Sequence, residues 1–321
     1  MGVFVFLPLV LPLTALPIAR LAGQHLHPRS TTRLLTALAV VLGVCSTLCL
    51  ALLMVVGTAQ LPGNPLPDGW SDPEVRAAVP IAEVAGSAAI AALAAVLAAC
   101  GIELRRHYRV RSRTHQALDG LPSGTELAVL PDDSPYAYAV PSLPARPGRP
   151  ARPGRIAVSR GMLHSLDSDE RRALLAHERA HLAERHHRYQ LAVRLAGCAN
   201  PLLLPLRTAV AFSAERWADE EAARTVGDRR LTARAVGKAA LVSRPAPSPL
   251  LAGFAAPEPG PVPRRVAALL GPAPTARSWP PALTPAGLAA LVAAAGTAAS
   301  ALSSLNAAVA LFLVLKAATP L

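Results

Sequence analysis

The chain has 321 residues, 52% of them hydrophobic and 16% charged, with a positive mean hydropathy and a formal net charge of +12. A soluble domain of this length is rarely so apolar, and the apolar residues gather into long runs, which points to membrane spans. Aromatic residues make up only 4% and are not interleaved with the arginines, so the basic excess reads as loops on the cytoplasmic side of a membrane and not as a nucleic-acid surface.

The first apolar run, Val3 to Ala19, carries Pro8, Pro12 and Pro17. It lacks the basic n-region of a signal peptide and is expected to be a first membrane helix. A basic loop follows, with Arg20, His25, His27, Arg29 and Arg33. The second run, Leu34 to Ala59, is uncharged and reaches about 39 Å as a helix, enough to span with tilt. Gln60 to Pro80 is a Pro- and Gly-rich loop with Asp68, Asp72 and Glu74 against Arg76. The third run, Ile81 to Ile102, ends in Arg105, Arg106, Arg109, Arg111 and Arg113. Arg and Lys stay in the cytoplasm. The loop after the first run and the segment after the third are therefore expected inside, and the amino terminus and the Gln60–Pro80 loop outside.

Residues from about 105 to 280 are polar enough for a cytoplasmic domain. Glu126 to Leu130, Ala137 to Val140 and Arg155 to Ser159 read as short strands. Between the last two, Ala-Arg-Pro-Gly-Arg occurs twice within Ala145 to Arg155, which excludes helix and central strand and predicts a loop. Asp167 or Ser168 is positioned to cap a helix, with Asp169 and Glu170 favouring its positive end. Leu191 to Phe212 is apolar but broken by Arg194, Asn200, Pro201, Pro205 and Arg207. It reads as a helical hairpin at the membrane surface or partly in it, since central arginines are expensive in a full span. Pro245 to Pro285 reads as an irregular Pro-rich linker. The last run, Ala286 to Leu315, is long enough to span and starts inside, after Arg264, Arg265 and Arg277. The four cysteines, Cys45, Cys49, Cys100 and Cys198, lie in apolar stretches and form no Cys-x-x-Cys pair. They read as small buried hydrophobes, with no zinc ribbon and no disulfide framework.

The chemistry is concentrated in His177-Glu178-Arg179-Ala180-His181. On a helix, positions i and i+4 stand one turn apart on one face, so both imidazoles can reach a single tetrahedral zinc. Glu178 projects beside them and can take a proton from the metal-bound water. Such a motif arises by chance in roughly one average chain in a hundred of this length, so its context decides. Catalytic zinc needs a third protein ligand. His187 falls where an extended His-Glu-x-x-His-x-x-Gly-x-x-His motif has its third histidine, but Glu184 stands at the Gly position. Without that turn the helix is expected to continue, and His186 and His187 then point roughly 140° and 240° away from His181 as surface residues. Glu215 is the better ligand. It is expected early in a helix capped by Ser213, with Asp219 one turn further, able to receive a ligand histidine's other N–H.

Ala176-His177-Glu178-x-x-His181 followed by Glu215-x-x-Ala218-Asp219 resembles the gluzincin peptidases of the HtpX and CAAX-prenyl-protease group. The number and order of spans resemble the related BlaR/MecR-type metallopeptidases, with three helices, a cytoplasmic zinc domain and a fourth helix. The resemblance implies that Glu215 is the third zinc ligand and Asp219 an orienting residue. BlaR/MecR proteins carry an extracellular penicillin-binding sensor after the last helix; this chain ends at Leu321, and antibiotic sensing by such a domain is not expected of it.

The expected architecture is a mostly α membrane protein with about four transmembrane helices and a cytoplasmic α+β zincin-type (gluzincin) domain. Residues 1–104 hold three helices, 105–244 the metallopeptidase domain, 245–285 the linker and 286–321 the last helix. The expected function is that of a zinc metalloendopeptidase, with one Zn2+ per chain held by His177, His181 and Glu215, and Glu178 as general base. Its partners are a protein or peptide substrate and the lipid bilayer, with no nucleic acid. The expected location is a bacterial cell membrane, crossed several times. The competing reading is a non-proteolytic signalling or scaffold protein that keeps the zinc fold; the intact Glu178 argues against it. His164 and Arg224 are candidates for stabilising an oxyanion.

Overall fold

Apolar length decides the longest elements. In the computed structural model, which describes residues 2–64, 66–73, 75, 82–121, 125–145, 147, 150–243, 262–275 and 279–318, four helical stretches are long and apolar enough to cross a membrane: Phe4–Gly23, Pro28–Ala59, Val84–Ala117 and Pro285–Ala318. The first is irregular because of its prolines. Short helices α1 (Leu7–Val10) and α2 (Leu16–His25) alternate with 3-10 turns at Gly2–Phe6 and Leu11–Ala15. Pro12 has no N–H to give the Pro8 carbonyl. Ser46 donates to that carbonyl instead, its Oγ 2.7 Å away.

Helices α3 (Pro28–Ala59) and α4 (Ala82–Ala117) cross at a pair of glycines. A Cβ on Gly57 would stand 2.5 Å from the Gly86 backbone, so only glycine allows this approach of two apolar helices. The last long helix, α11 (Pro285–Ala318), meets the first stretch in the same way: a Cβ on Gly296 would lie 2.1 Å from Thr14 Oγ1.

The polar part of the chain begins with three strands, β1 (Leu127–Leu130), β2 (Ala137–Val140) and β3 (Arg155–Ser159). The sheet order is β1-β3-β2, with β1 parallel and β2 antiparallel to β3. Central β3 is buried along its whole length. Helices α5 (Arg160–Ser165), α6 (Ser168–Ala183), α7 (His186–Ala199), α8 (Leu204–Val226), α9 (Arg229–Val242) and α10 (Val262–Leu270) follow. Ser159 caps α5 and Asp228 caps α9, each accepting a backbone N–H with its side chain. Gly227, at φ 78°, ends α8 in the left-handed conformation that glycine adopts most cheaply.

Helices α7 and α8 form the hairpin expected over 191–212. Val193, Ala196, Leu203, Leu206 and Val210 of the hairpin share one core with Ile18, Leu35, Leu42 and Ala293 of the long helices. Buried Asn200 at its tip donates to the Leu9 carbonyl at 2.9 Å and to Ser46 Oγ at 3.0 Å. Ser46 lies about 27 Å along α3 at 1.5 Å per residue, so the hairpin tip stands beside the middle of that helix.

Two boundaries differ from the sequence reading. Helix α4 runs without a break to Ala117, so the 104/105 boundary falls inside it; the arginine-rich segment continues the apolar helix into the polar domain. The stretch read as a linker contains helix α10; apolar Val266 and Leu269 pack it against Ala233 of α9 and Ala223 of α8. Positions 244–261 and 276–278 of that stretch lie outside the described residues, as do 146, 148 and 149 of the repeated Ala-Arg-Pro-Gly-Arg segment. The rest of that loop is anchored by an antiparallel bridge between Leu143 and Arg152.

Candidate metal centre

Helix α6 starts where its cap dictates. Asp167 accepts the backbone N–H groups of Asp169 and Glu170, and Glu170 accepts that of Asp167, which completes a capping box. Glu170 also accepts from Lys238 Nζ at 2.7 Å, which ties α6 to α9. Three turns along, His177 and His181 project from one face with their Nε2 atoms 3.1 Å apart.

Helix α8 brings Glu215 to the same point. Its Oε2 lies 3.5 Å from His177 Nε2 and its Oε1 lies 3.4 Å from His181 Nε2. Asp219, one turn further and fully buried, sets its Oδ1 3.1 Å from His177 Nδ1. Glu215 thus faces one nitrogen of His177 and Asp219 the other. Ser213 does not cap this helix. Helix α8 begins nine residues earlier, at Leu204, because Pro205 in its first turn suits a start there. Ser213 instead lies buried inside the helix and accepts from Thr32 Oγ1 of α3 at 3.0 Å.

The sequence reading missed Arg265, on α10. It is buried, with Nη1 3.0 Å from Glu215 Oε2, Nε 2.8 Å from Asp219 Oδ2 and Nη2 2.6 Å from Asp219 Oδ1. The only local signal was its place in the apolar pattern Val262-Pro-Arg-Arg-Val-Ala-Ala-Leu-Leu270, which is helical once the preceding prolines are taken as a start.

It also misplaced His186. Helix α6 ends at Ala183 even without a glycine, because Arg185 takes the left-handed conformation at φ 55°. Helix α7 then starts at His186, whose ring is buried with Nδ1 2.8 Å from His181 Nδ1. His187 stacks on His107, ring centroids 6.4 Å apart, and stands outside the donor triangle.

Burial opposes a positive charge on His177, but Asp219 and Glu215 beside it outweigh that and raise its pKa to about 10. Burial lowers the pKa of His181 to about 4. Burial also raises that of Glu178 from its ordinary value, against the pull of His177. Burial would raise Glu215 and Asp219 as well, yet His181 and Arg265 at the first, and Arg265 at the second, hold both below the usual carboxylate range. Two carboxylates, Glu215 and Asp219, therefore face the Arg265 guanidinium in a buried place, and buried charge must be balanced.

The donor set fits zinc. Tetrahedral zinc with bonds of about 2.0–2.1 Å places its ligand atoms about 3.3 Å apart, close to the three separations given above. The negative excess that draws a proton onto His177 is also one that a dication balances. Glu178 and the triangle line a cavity of about 530 Å³, whose other walls include Tyr138, Met162, Leu174, Leu182 and Val236. His164 and Arg224 do not line it.

Residues 105–196 match the family model of Peptidase family M48. No curated protein and no solved structure matches the chain. The matched segment contains the His177–His181 motif and stops short of Glu215 and Arg265. Together, the M48 match and the triangle of His177, His181 and Glu215 support a metallopeptidase.

Proposed function

We propose that the chain is a membrane-bound zinc metalloendopeptidase, with His177, His181 and Glu215 as the metal ligands and Glu178 as general base. The observation that carries this reading is the triangle of donor atoms with Glu178 in the same cavity. When bound, zinc lowers the pKa of a water and polarises a carbonyl. Glu178 takes the proton of the attacking water onto its carboxylate and delivers it to the departing amine nitrogen. Burial raises its pKa from the ordinary carboxylate value, which makes it the stronger base. The Ala139 backbone beside it pulls the other way and favours the carboxylate form.

Substrate binding follows from the sheet. Strand β2 pairs with β3 on one side only among the described residues, and its Tyr138 and Ala139 line the cavity. An extended peptide binds such an edge through its main chain. The apolar wall beyond, with Met162, Leu174 and Val236, suits an apolar side chain of that peptide.

The site lies against the arginine-rich ends of the long helices: Arg29 and Arg33 of α3 stand over Trp217 of α8. By the positive-inside rule that is the cytoplasmic face, and the substrate is a cytoplasmic regulator or a membrane protein. The test is Glu178→Gln in detergent-purified protein. It keeps its zinc and loses about 10²–10⁴-fold in peptide hydrolysis. Undiminished turnover refutes the mechanism.

A further inference from the structure

Metal-ligating histidines donate their second ring N–H to a fixed acceptor, which sets tautomer and orientation. Asp219 Oδ1 stands beside that nitrogen of His177 as an ion-pair partner, 3.1 Å from Nδ1, without hydrogen-bond geometry. Among the described residues no carboxylate stands there for His181; His186 does, Nδ1 to Nδ1 at 2.8 Å. We infer that His186 is a positioning residue for the metal centre: as a neutral imidazole it accepts the Nδ1–H of His181 and holds that ring in the tautomer whose Nε2 is free to bind metal. The inference rests on the reading of the triangle as a zinc site.

The proton assignment follows from geometry. Two ring nitrogens 2.8 Å apart share one proton. His181 Nε2 faces His177 and Glu215, so it must be bare to act as a ligand, and the proton belongs on His181 Nδ1. His186 then accepts at Nδ1 and carries its own proton on Nε2. That Nε2 is buried and has no hydrogen-bond partner among the described residues. A buried polar atom left unsatisfied is costly, so the ring is held for what its other nitrogen does. An apolar side chain of the same size would pack here without that cost.

Three features hold His186 in place. The left-handed Arg185 turns the chain back so that the ring reaches under His181. Trp217, two residues past Glu215 on α8, packs on it with ring centroids 4.7 Å apart. Arg29 and Arg33, in the first two turns of α3, each stand 5.4 Å from the Trp217 ring, within cation–π range. The tautomer of a ligand is thereby tied to the start of a long apolar helix. The two ligand histidines also differ: His177 leans on an anion and His181 on a neutral ring, which leaves His181 the less basic ligand.

The experiment measures zinc affinity by chelator competition on the full chain in detergent, for wild type, His186→Leu and His186→Asn. Leucine fills the space without an acceptor; asparagine places an amide acceptor near the Nδ1 position. The leucine variant should bind zinc about 10–100-fold more weakly, and the asparagine variant should recover most of that loss. A purely structural role predicts the reverse order, because the buried amide is the poorer packing group. Leucine binding as tightly as wild type, or asparagine as weak as leucine, overturns the inference. A wild type that binds no zinc overturns the metal-centre reading itself, so the two failures are distinct. If His186→Leu does not fold, nitrogen-15 NMR of the histidines in wild type decides. A proton on His186 Nε2 is expected, and one on its Nδ1 overturns the inference.

Discussion

Arg265 clamps Asp219 with two parallel hydrogen bonds, of 2.8 Å from Nε and 2.6 Å from Nη2, and turns its remaining Nη1 to Glu215 at 3.0 Å. One guanidinium therefore steadies the carboxylate beside His177 and a candidate metal ligand together. It arrives from α10, inside the Pro-rich stretch, and its fork suits two carboxylates at fixed angles in a way an ammonium does not.

Removing that clamp leaves two buried carboxylates without their guanidinium partner. Arg265→Leu should destabilise the metal-free protein by about 3–5 kcal/mol, the usual cost of breaking a buried pair from one side. Arg265→Lys should restore charge but not the fork, and fall between. Thermal melting with and without a chelator reads both. Equal melting of wild type and Arg265→Leu in the metal-free state would show that the pair contributes nothing.

The ligand set makes a sharper prediction. His177→Ala, His181→Ala and Glu215→Ala should each lose most bound zinc, since three protein ligands leave no redundancy. His187→Ala should keep it, because that ring stacks on His107 away from the triangle. Zinc content after gel filtration is the measurement. Full occupancy in Glu215→Ala together with loss in His187→Ala would move the third ligand to the histidine.

The residues differ in how far the sequence alone reveals them. The four apolar helices were legible because a span is a local property: run length and absence of charge suffice. The start of α6 was legible because Asp167 and Glu170 write a capping box within four residues. His186 was misread because nothing in Glu184-Arg185 announces a left-handed residue; arginine takes φ 55° here at a cost that only the packing of His186 under His181 explains. Ser213 looked like a cap because the helix around it begins nine residues earlier than its polar part. Arg265 was invisible for a different reason. Its partner lies 46 residues away, and an ion pair across such a distance leaves no periodicity to read.

Zinc binding should release a proton. In the metal-free protein the pKa of His177 stands at about 10, above its ordinary 6.5. A raised folded-state pKa means that protonated His177 stabilises the metal-free fold fully below about pH 6.5, and that this is lost as pH climbs through about 10. A metal ligand must be deprotonated, and His181, lowered to about 4 by burial, is already neutral. Between about pH 6.5 and 9, then, one proton should leave per zinc, and apparent affinity should rise about tenfold per pH unit. Calorimetry in two buffers of different ionisation heat counts the proton. A pH-independent affinity over that window would show that His177 is neutral before zinc arrives.

The orientation in the membrane ties the site to its substrate. Arg29 and Arg33 open α3, Arg105 to Arg113 lie in the last turns of α4, and the polar domain packs against those same ends through Trp217 and through the 3.3 Å pair of Arg194 with Glu103. Basic ends stay in the cytoplasm, so the cavity should open there and the Gln60–Pro80 connection should lie outside. The opposite orientation would carry every one of those arginines across the bilayer. Two reporter fusions decide between them, one at Gly120 and one at Leu321. A cytoplasmic reporter should be active at Gly120 and a periplasmic one at Leu321. The reverse pattern would put the centre outside the cell and remove cytoplasmic regulators from the substrates it can reach, while leaving the metal chemistry of His177, His181 and Glu215 untouched.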